Sequence, residues 1–174
     1  MLVSTVMSEA HPHKSEPIDY IQRTRDQYAS LGYPPYEWVH ISETPPFTPL
    51  QKPLREAKIG FLSSGGIYRQ GQIAFHFKDD FSYREISTAT PTSELRATHF
   101  AYDLTDARQD PNVVFPLDTL RKLANDGVIG ELSERAYTFM GGIYSSRKVS
   151  TALAPALAER FIADEVDVVL MVPV

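Results

Sequence analysis

Two glycine loops and a few scattered polar side chains carry whatever chemistry this sequence can perform. Ser63-Ser64-Gly65-Gly66 closes an apolar run, and the tetrapeptide Gly65–Tyr68 (GGIY) recurs at Gly141–Tyr144. Glycine pairs let backbone approach a ligand closely. Backbone N–H groups near helix starts suit an anionic group. Tyr68 and Tyr144 follow the glycine pairs and either wall a pocket or pack. Arg84 can clamp a carboxylate through two parallel hydrogen bonds, or pair with the nearby Asp79 or Asp80. His99 can act as a general acid, or be a core histidine bonded to backbone. Asp103 and Asp106 flank an expected strand end, where they bind an ammonium or cap a turn. His76, Asp79, Asp80, His99 and Asp103 are also the ligand types of a two-histidine carboxylate metal site, but their spacing matches no compact motif. His11 and His13 have no further histidine close in sequence to complete a ligand set.

The elements that must position these groups follow from the apolar pattern. Ala57–Ser63 reads as a buried strand ending in the first glycine loop, and Arg135–Met140 as a strand ending in the second. Residues 67–96 read as polar and irregular, and Thr98–Tyr102 as a short strand. Pro116–Asn125 is expected to be helical, with Pro116 at the start and Leu117, Leu120 and Leu123 on one face. Arg147–Asp164 reads as a helix that Pro155 must kink or restart. Val166–Val174 is nearly continuously apolar, the pattern of a central parallel strand buried on both faces. Strands alternating with helices predict an α/β fold with an open, Rossmann-like, mostly parallel sheet. Loops at the carboxyl ends of its strands are then the expected ligand site.

The first half is different. Residues 1–17 lack periodicity and are expected to be a disordered arm. Residues 18–56 hold a short helix, Ile18–Leu31, stopped by Gly32, and then a run of prolines between Pro34 and Pro53. That density excludes helix and central strand. It predicts an extended segment wrapping the domain, with Tyr33, Tyr36, Trp38 and Phe47 as docking anchors. Residues 57–174 form the α/β part. It reads as incomplete, because Val174 closes the strongest strand with no helix after it to cover the sheet.

Composition narrows the function classes. The 174 residues carry a net charge of −5, against the basic footprint of a nucleic-acid or anionic-membrane binder. There is no cysteine, hence no disulfide, thiolate metal site or cysteine nucleophile within these residues. The start has no basic segment ahead of a long apolar one, so no signal peptide is expected and the location reads as cytoplasmic.

Several stretches together resemble the selenoprotein B family of glycine, sarcosine, betaine and D-proline reductases. They are Ile18–Trp38, Ser63–Gly66, Asp79–Ile86, His99–Leu120, Tyr137–Arg147 and Val166–Val174. The resemblance implies a subunit, here a fragment, of a reductase that cleaves a C–N bond of an amino acid or amine. It implies a selenocysteine or cysteine just after the VPV strand, where a UGA codon can be read as a stop. It also implies a pyruvoyl group on a partner subunit, a dithiol or thioredoxin-like electron donor, and an oligomer. Ser63, Ser64, Gly65, Gly66, Arg84, Asp103, Asp106, Gly141 and Gly142 would then bind substrate. His99 would be the acid for the leaving amine, and these residues alone would be inactive and bind no cofactor. A non-catalytic α/β binding or scaffolding subunit and a metal-dependent hydrolase are the competing readings.

Overall fold

The computed structural model describes residues 19–174 apart from Tyr36, Trp38 and Phe47. The expected disordered arm and three of the four aromatic anchors lie outside the described residues. The chain divides into two compact units, 1–44 and 45–174.

Among the described residues of the first unit one helix forms, α1 (Tyr20–Ser30), and none of its residues is buried. Asp19 caps it, its Oδ1 accepting from the N–H of Gln22 at 2.9 Å. Described residues between Gly32 and Pro53 form no helix or strand, as the prolines require.

The second unit is the α/β part. Its main sheet has the order β3-β5-β1-β6, formed by β3 (Tyr83–Ser87), β5 (Glu131–Phe139), β1 (Lys58–Ser63) and β6 (Val168–Val172). β1 runs parallel to both β5 and β6. β3 is antiparallel to β5 at one edge. Two further strands, β2 (Ile67–Arg69) and β4 (Leu95–Ala97), form a separate antiparallel pair. The open, mostly parallel α/β sheet expected from the sequence is therefore present.

Helices cover the two faces of this sheet in turn. Phe61 and Ala136 face one side and pack with Leu117 and Leu120 of α3 (Leu117–Asn125). Leu62 and Tyr137, one residue further along each strand, face the other side. They pack with Leu153, Leu157 and Phe161. The period of two along each strand makes this division. The path from β1 to β5 and the path from β5 back past β1 to β6 cross the sheet in opposite directions. With a common right hand they must use opposite faces.

The second crossover is helical from Ser146 to Ala163: α4 (Ser146–Lys148), a π turn (Val149–Leu153) and α5 (Ala154–Ala163). Pro155 sits in the first turn of α5, where its missing N–H costs little. The helix restarts there, as expected. Its end is tied to β5, where Arg135 pairs with Asp164 and the fully buried Tyr137 donates to Asp164 Oδ2 at 3.0 Å. The guanidinium holds the Asp164 carboxyl below its ordinary range, while burial and that carboxylate push the Tyr137 hydroxyl up.

Three expectations need correction. Residues 67–96 are not irregular throughout: they contain β2, β3 and β4. β3 buries only Ile86, so it shows no apolar period. Thr98–Tyr102 is not a strand; His99 turns its ring back to accept from its own segment, at Ala101 N–H, and this removes it from any ladder. β6 is parallel as expected but lies at an edge, with Leu170 40% and Met171 66% exposed.

Candidate functional site

The two glycine loops meet. β1 and β5 are parallel neighbours, so Ser64–Gly66 and Met140–Gly142 leave the same end of the sheet. Gly65 and Met140 form an isolated bridge. Gly141 N–H donates to Ser64 O at 3.0 Å, and Gly66 N–H to Phe139 O at 3.0 Å. After this contact the chains diverge, one toward the α3 face and the other into the helix on the opposite face. A crevice where neighbouring parallel strands send their connections to opposite faces is where open α/β sheets bind ligands.

The end of β6 joins the same rim. Ser64 N–H donates to Val172 O at 3.1 Å, and Ser64 Oγ accepts from Val174 N–H at 2.9 Å. Ser64 thus links the carboxyl ends of all three parallel strands. Ser63 is fully buried and structural: its hydroxyl donates to Val114 O at 2.7 Å and accepts from Gly65 N–H at 3.1 Å.

The loop Thr98–Tyr102 closes the crevice. Thr98 N–H donates to Gly66 O at 2.9 Å, and Tyr102 donates its hydroxyl to Gly65 O at 2.8 Å. Gly66 has φ +67°, and a Cβ there would stand 2.0 Å from Thr98 O. At Gly142 a Cβ would meet the Phe100 ring at 2.2 Å. Each loop therefore has a glycine fixed by the Thr98–Tyr102 segment.

His99 is 4% exposed, stacked on Phe100 and tilted against Tyr102. Its Nδ1 accepts from Ala101 N–H at 3.0 Å, which assigns the hydrogen to Nε2. Nε2 is buried without a hydrogen-bond partner among the described residues, and the adjacent Cδ2 lies 3.5 Å from the Cβ direction of Gly66. Burial lowers the pKa of the imidazole. A neutral ring with Nδ1 engaged is a hydrogen-bond donor at Nε2. It is poorly placed to be the general acid named above, because the protonated ring would set an Nδ1–H against the Ala101 N–H.

The other sequence-derived residues lie in structural roles around this rim. Arg84 pairs with neither Asp79 nor Asp80. Its guanidinium donates to Ile73 O, Ser82 Oγ, Tyr83 O and Ala74 O, and lies over the Phe75 ring. It clamps the loop before β3. Asp103 accepts from Thr105 N–H and Oγ1–H, a local turn leading into α2 (Thr105–Gln109). Those bonds lower its pKa. Asp106 is exposed in the first turn of α2.

The N–H groups of Ser64, Gly65, Gly66 and Gly141 are all spent within the loops, so they do not form the open anion cradle expected from the sequence. The start of the 146–163 helix is capped by Ser145, whose hydroxyl accepts from Lys148 N–H at 3.3 Å, and the segment just ahead of it is held by Asp79. Asp79 accepts from the N–H groups of Tyr144 and Ser145 and pairs with Lys148 at 2.6 Å. The Lys148 ammonium holds the Asp79 carboxyl below its ordinary value. Sequence reasoning missed this role and that of Tyr102, since both contacts join distant segments with no local signature. Among the described residues no three histidine, aspartate or glutamate side chains converge on a possible metal position.

A three-layer α/β unit with a crevice at its topological switch point defines the class. Comparison with known proteins supplies the family. The glycine/sarcosine/betaine reductase selenoprotein B family matches residues 34–174, and the chain belongs to that family. It is 31% identical over 134 residues to D-proline reductase subunit gamma of Acetoanaerobium sticklandii, covering 77% of this chain and 55% of that protein. It is 31% identical over 143 residues to glycine reductase complex component B subunit gamma of Symbiobacterium thermophilum, covering 78% and 32%. Sarcosine reductase complex component B subunit beta of Peptoclostridium acidaminophilum is 27% identical over 131 residues, covering 72% and 30%. The chain thus spans about half the length of the first relative and about a third of the other two. No solved structure matches. No helix among the described residues is long and apolar enough to cross a membrane.

Proposed function

We propose that this chain is the substrate-crevice part of a subunit in a reductase complex that cleaves a C–N bond of an amino acid or amine. The observation that carries this reading is the convergence on Ser64 of the two glycine loops and the end of β6. A reactive residue following Val174 would start from that crevice, beside Ser64, Gly65 and Gly141. The family points to selenocysteine or cysteine there. Such a group would supply an anionic nucleophile for the carbon of the C–N bond, a selenol being more readily ionised at neutral pH than a thiol. A C–Se or C–S bond would form as the C–N pair leaves on nitrogen and takes a proton. A thiol would then attack the selenium or sulfur while carbon takes a proton, and a dithiol or thioredoxin-like donor would reduce the resulting Se–S or S–S bond.

This chain's residues shape the site. Ser64 retains a hydroxyl hydrogen to donate, and Tyr102 fixes Gly65. His99 offers Nε2–H as a neutral donor to a substrate carboxylate or to the developing charge. Asp103, Asp106 and Arg84 hold the surrounding loops and contact substrate only if those loops rearrange. The names of the D-proline, glycine and sarcosine reductase relatives support an amino acid or related amine as substrate, and a pyruvoyl-bearing partner subunit and an oligomeric assembly complete the proposal.

The test is the codon after that of Val174, followed by expression of whatever frame it opens. A TGA followed by an open frame is expected. The continued protein, mixed with its partner subunit and a dithiol, should reduce one of D-proline, glycine, sarcosine or betaine. A TAA or TAG with no coherent frame beyond it would overturn the redox reading.

A further inference from the structure

One region of the molecule has no role in that site. Beside β6, on the face covered by the 146–163 helix, lies an open groove of about 480 Å3. Leu62, Phe139, Leu157, Phe161, Val169 and Met171 line it, and its surface is almost wholly apolar. Met171 is 66% exposed there, while Leu170 is 40% exposed on the opposite face. The outer edge of β6 pairs with no strand among the described residues. Parallel strands are stable when both faces and both edges are covered. A groove with no polar group to orient a small molecule, next to unpaired backbone, fits polypeptide better than a compact ligand.

Handedness says which kind of polypeptide. The step from β5 to β6 crosses the sheet toward β6 and places its helix on the groove face. A further right-handed parallel crossover in the same direction must place its helix on that same face, and hence in the groove. Its strand then falls on the open edge of β6. The match covers 55% of D-proline reductase subunit gamma, leaving a little under half of that protein outside it. A crossover would take only roughly a dozen residues or more of whatever part follows the match.

We infer that the β6 edge and the adjoining groove are the docking surface for one further helix–strand unit, supplied by the family's polypeptide beyond the matched region. The helix lies against Leu157, Phe161 and Met171, and the strand pairs in parallel with Val168–Val172. The inference rests on the proposed reading that the frame continues past Val174.

Because the chain has no cysteine, single thiols report cleanly. Ile162 also lines the groove and is 75% exposed, so Met171→Cys, Ile162→Cys and, as a control after α3, Val128→Cys are mixed with the separately produced polypeptide encoded downstream, serine replacing any selenocysteine or cysteine in it. The expected result is that maleimide labelling at 171 and 162 slows about tenfold or more, with 128 unchanged. Amide exchange in Val168–Val172 of the unsubstituted chain slows alongside, which covers the case of a variant that folds poorly. Three results overturn the inference: unchanged labelling and exchange, protection caused by a second copy of the chain alone, or the absence of any downstream frame. Protection without reductase activity would sink only the proposed reaction. Activity without protection would sink only the docking surface.

Discussion

The two GGIY tetrapeptides share a sequence and part company immediately. After Gly65-Gly66, Ile67 is fully buried and begins β2, and Gly66 is held in the left-handed region with Thr98 O above it. After Gly141-Gly142, Tyr144 is 64% exposed and leads into a helix capped by Ser145, and Asp79 takes the N–H groups of Tyr144 and Ser145 just ahead of it. Gly66 is required by backbone conformation and Gly142 by the nearness of one aromatic ring. The same four residues thus do different work, because the segment lying across them differs at each end.

The largest expected effect comes from breaking the first loop. Gly66→Ala combines a left-handed φ with a contact to backbone, which cannot move aside, and should cost about 3 kcal/mol. Chemical denaturation measures it; a loss under about 1 kcal/mol would mean the loop is looser than described. Gly142→Ala meets only the Phe100 side chain, itself 41% exposed, and should cost about 1 kcal/mol. Adding Phe100→Ala should remove most of that cost in a double-mutant cycle; additive losses would show that the ring is not the constraint.

Smaller effects test what fills each loop. Asp79→Asn should leave global stability nearly unchanged while speeding amide exchange at Tyr144 and Ser145. In the unsubstituted protein the same amides stay protected above the ordinary carboxylate value of 3.8 and lose protection as pH falls through the depressed value of folded Asp79. Equal exchange in variant and parent would separate Asp79 from the second loop. The smallest effect is spectroscopic. His99 should titrate below its ordinary 6.5 and carry its proton on Nε2, read by imidazole nitrogen shifts. Because the unfolded chain takes the proton first, stability contributed by neutral His99 declines as pH drops below 6.5. A midpoint at or above 6.5 would restore the general-acid alternative.

Much of this arrangement was legible from residue order. β1, α3 and the restart at Pro155 rest on local periodicity and on proline geometry. The likeness of the two glycine loops pointed to the crevice, and the alternation of strand and helix set it at the carboxyl ends of the strands. Other features were hidden, because they depend on neighbours rather than on sequence-adjacent residues. β6 reads as central, yet its outer side is open. β3 is polar at most positions and is a strand only because β5 lies beside it. Asp79 and Ser145 are 66 residues apart, so nothing local announces that one holds the backbone leading into the helix that the other caps. Arg84 and Asp103 are residue types suited to ligands, and the fold uses them to hold loops.

The double tether at Ser64 bears on the entropy of whatever the crevice binds. Holding one residue in a single backbone conformation costs about 1–2 kcal/mol of conformational entropy. Val172 and Val174 are both fastened to Ser64 by hydrogen bonds of 3.1 and 2.9 Å, so folding itself absorbs that loss along this stretch. A molecule arriving at the rim meets backbone already immobilised, and more of its contact energy remains as affinity.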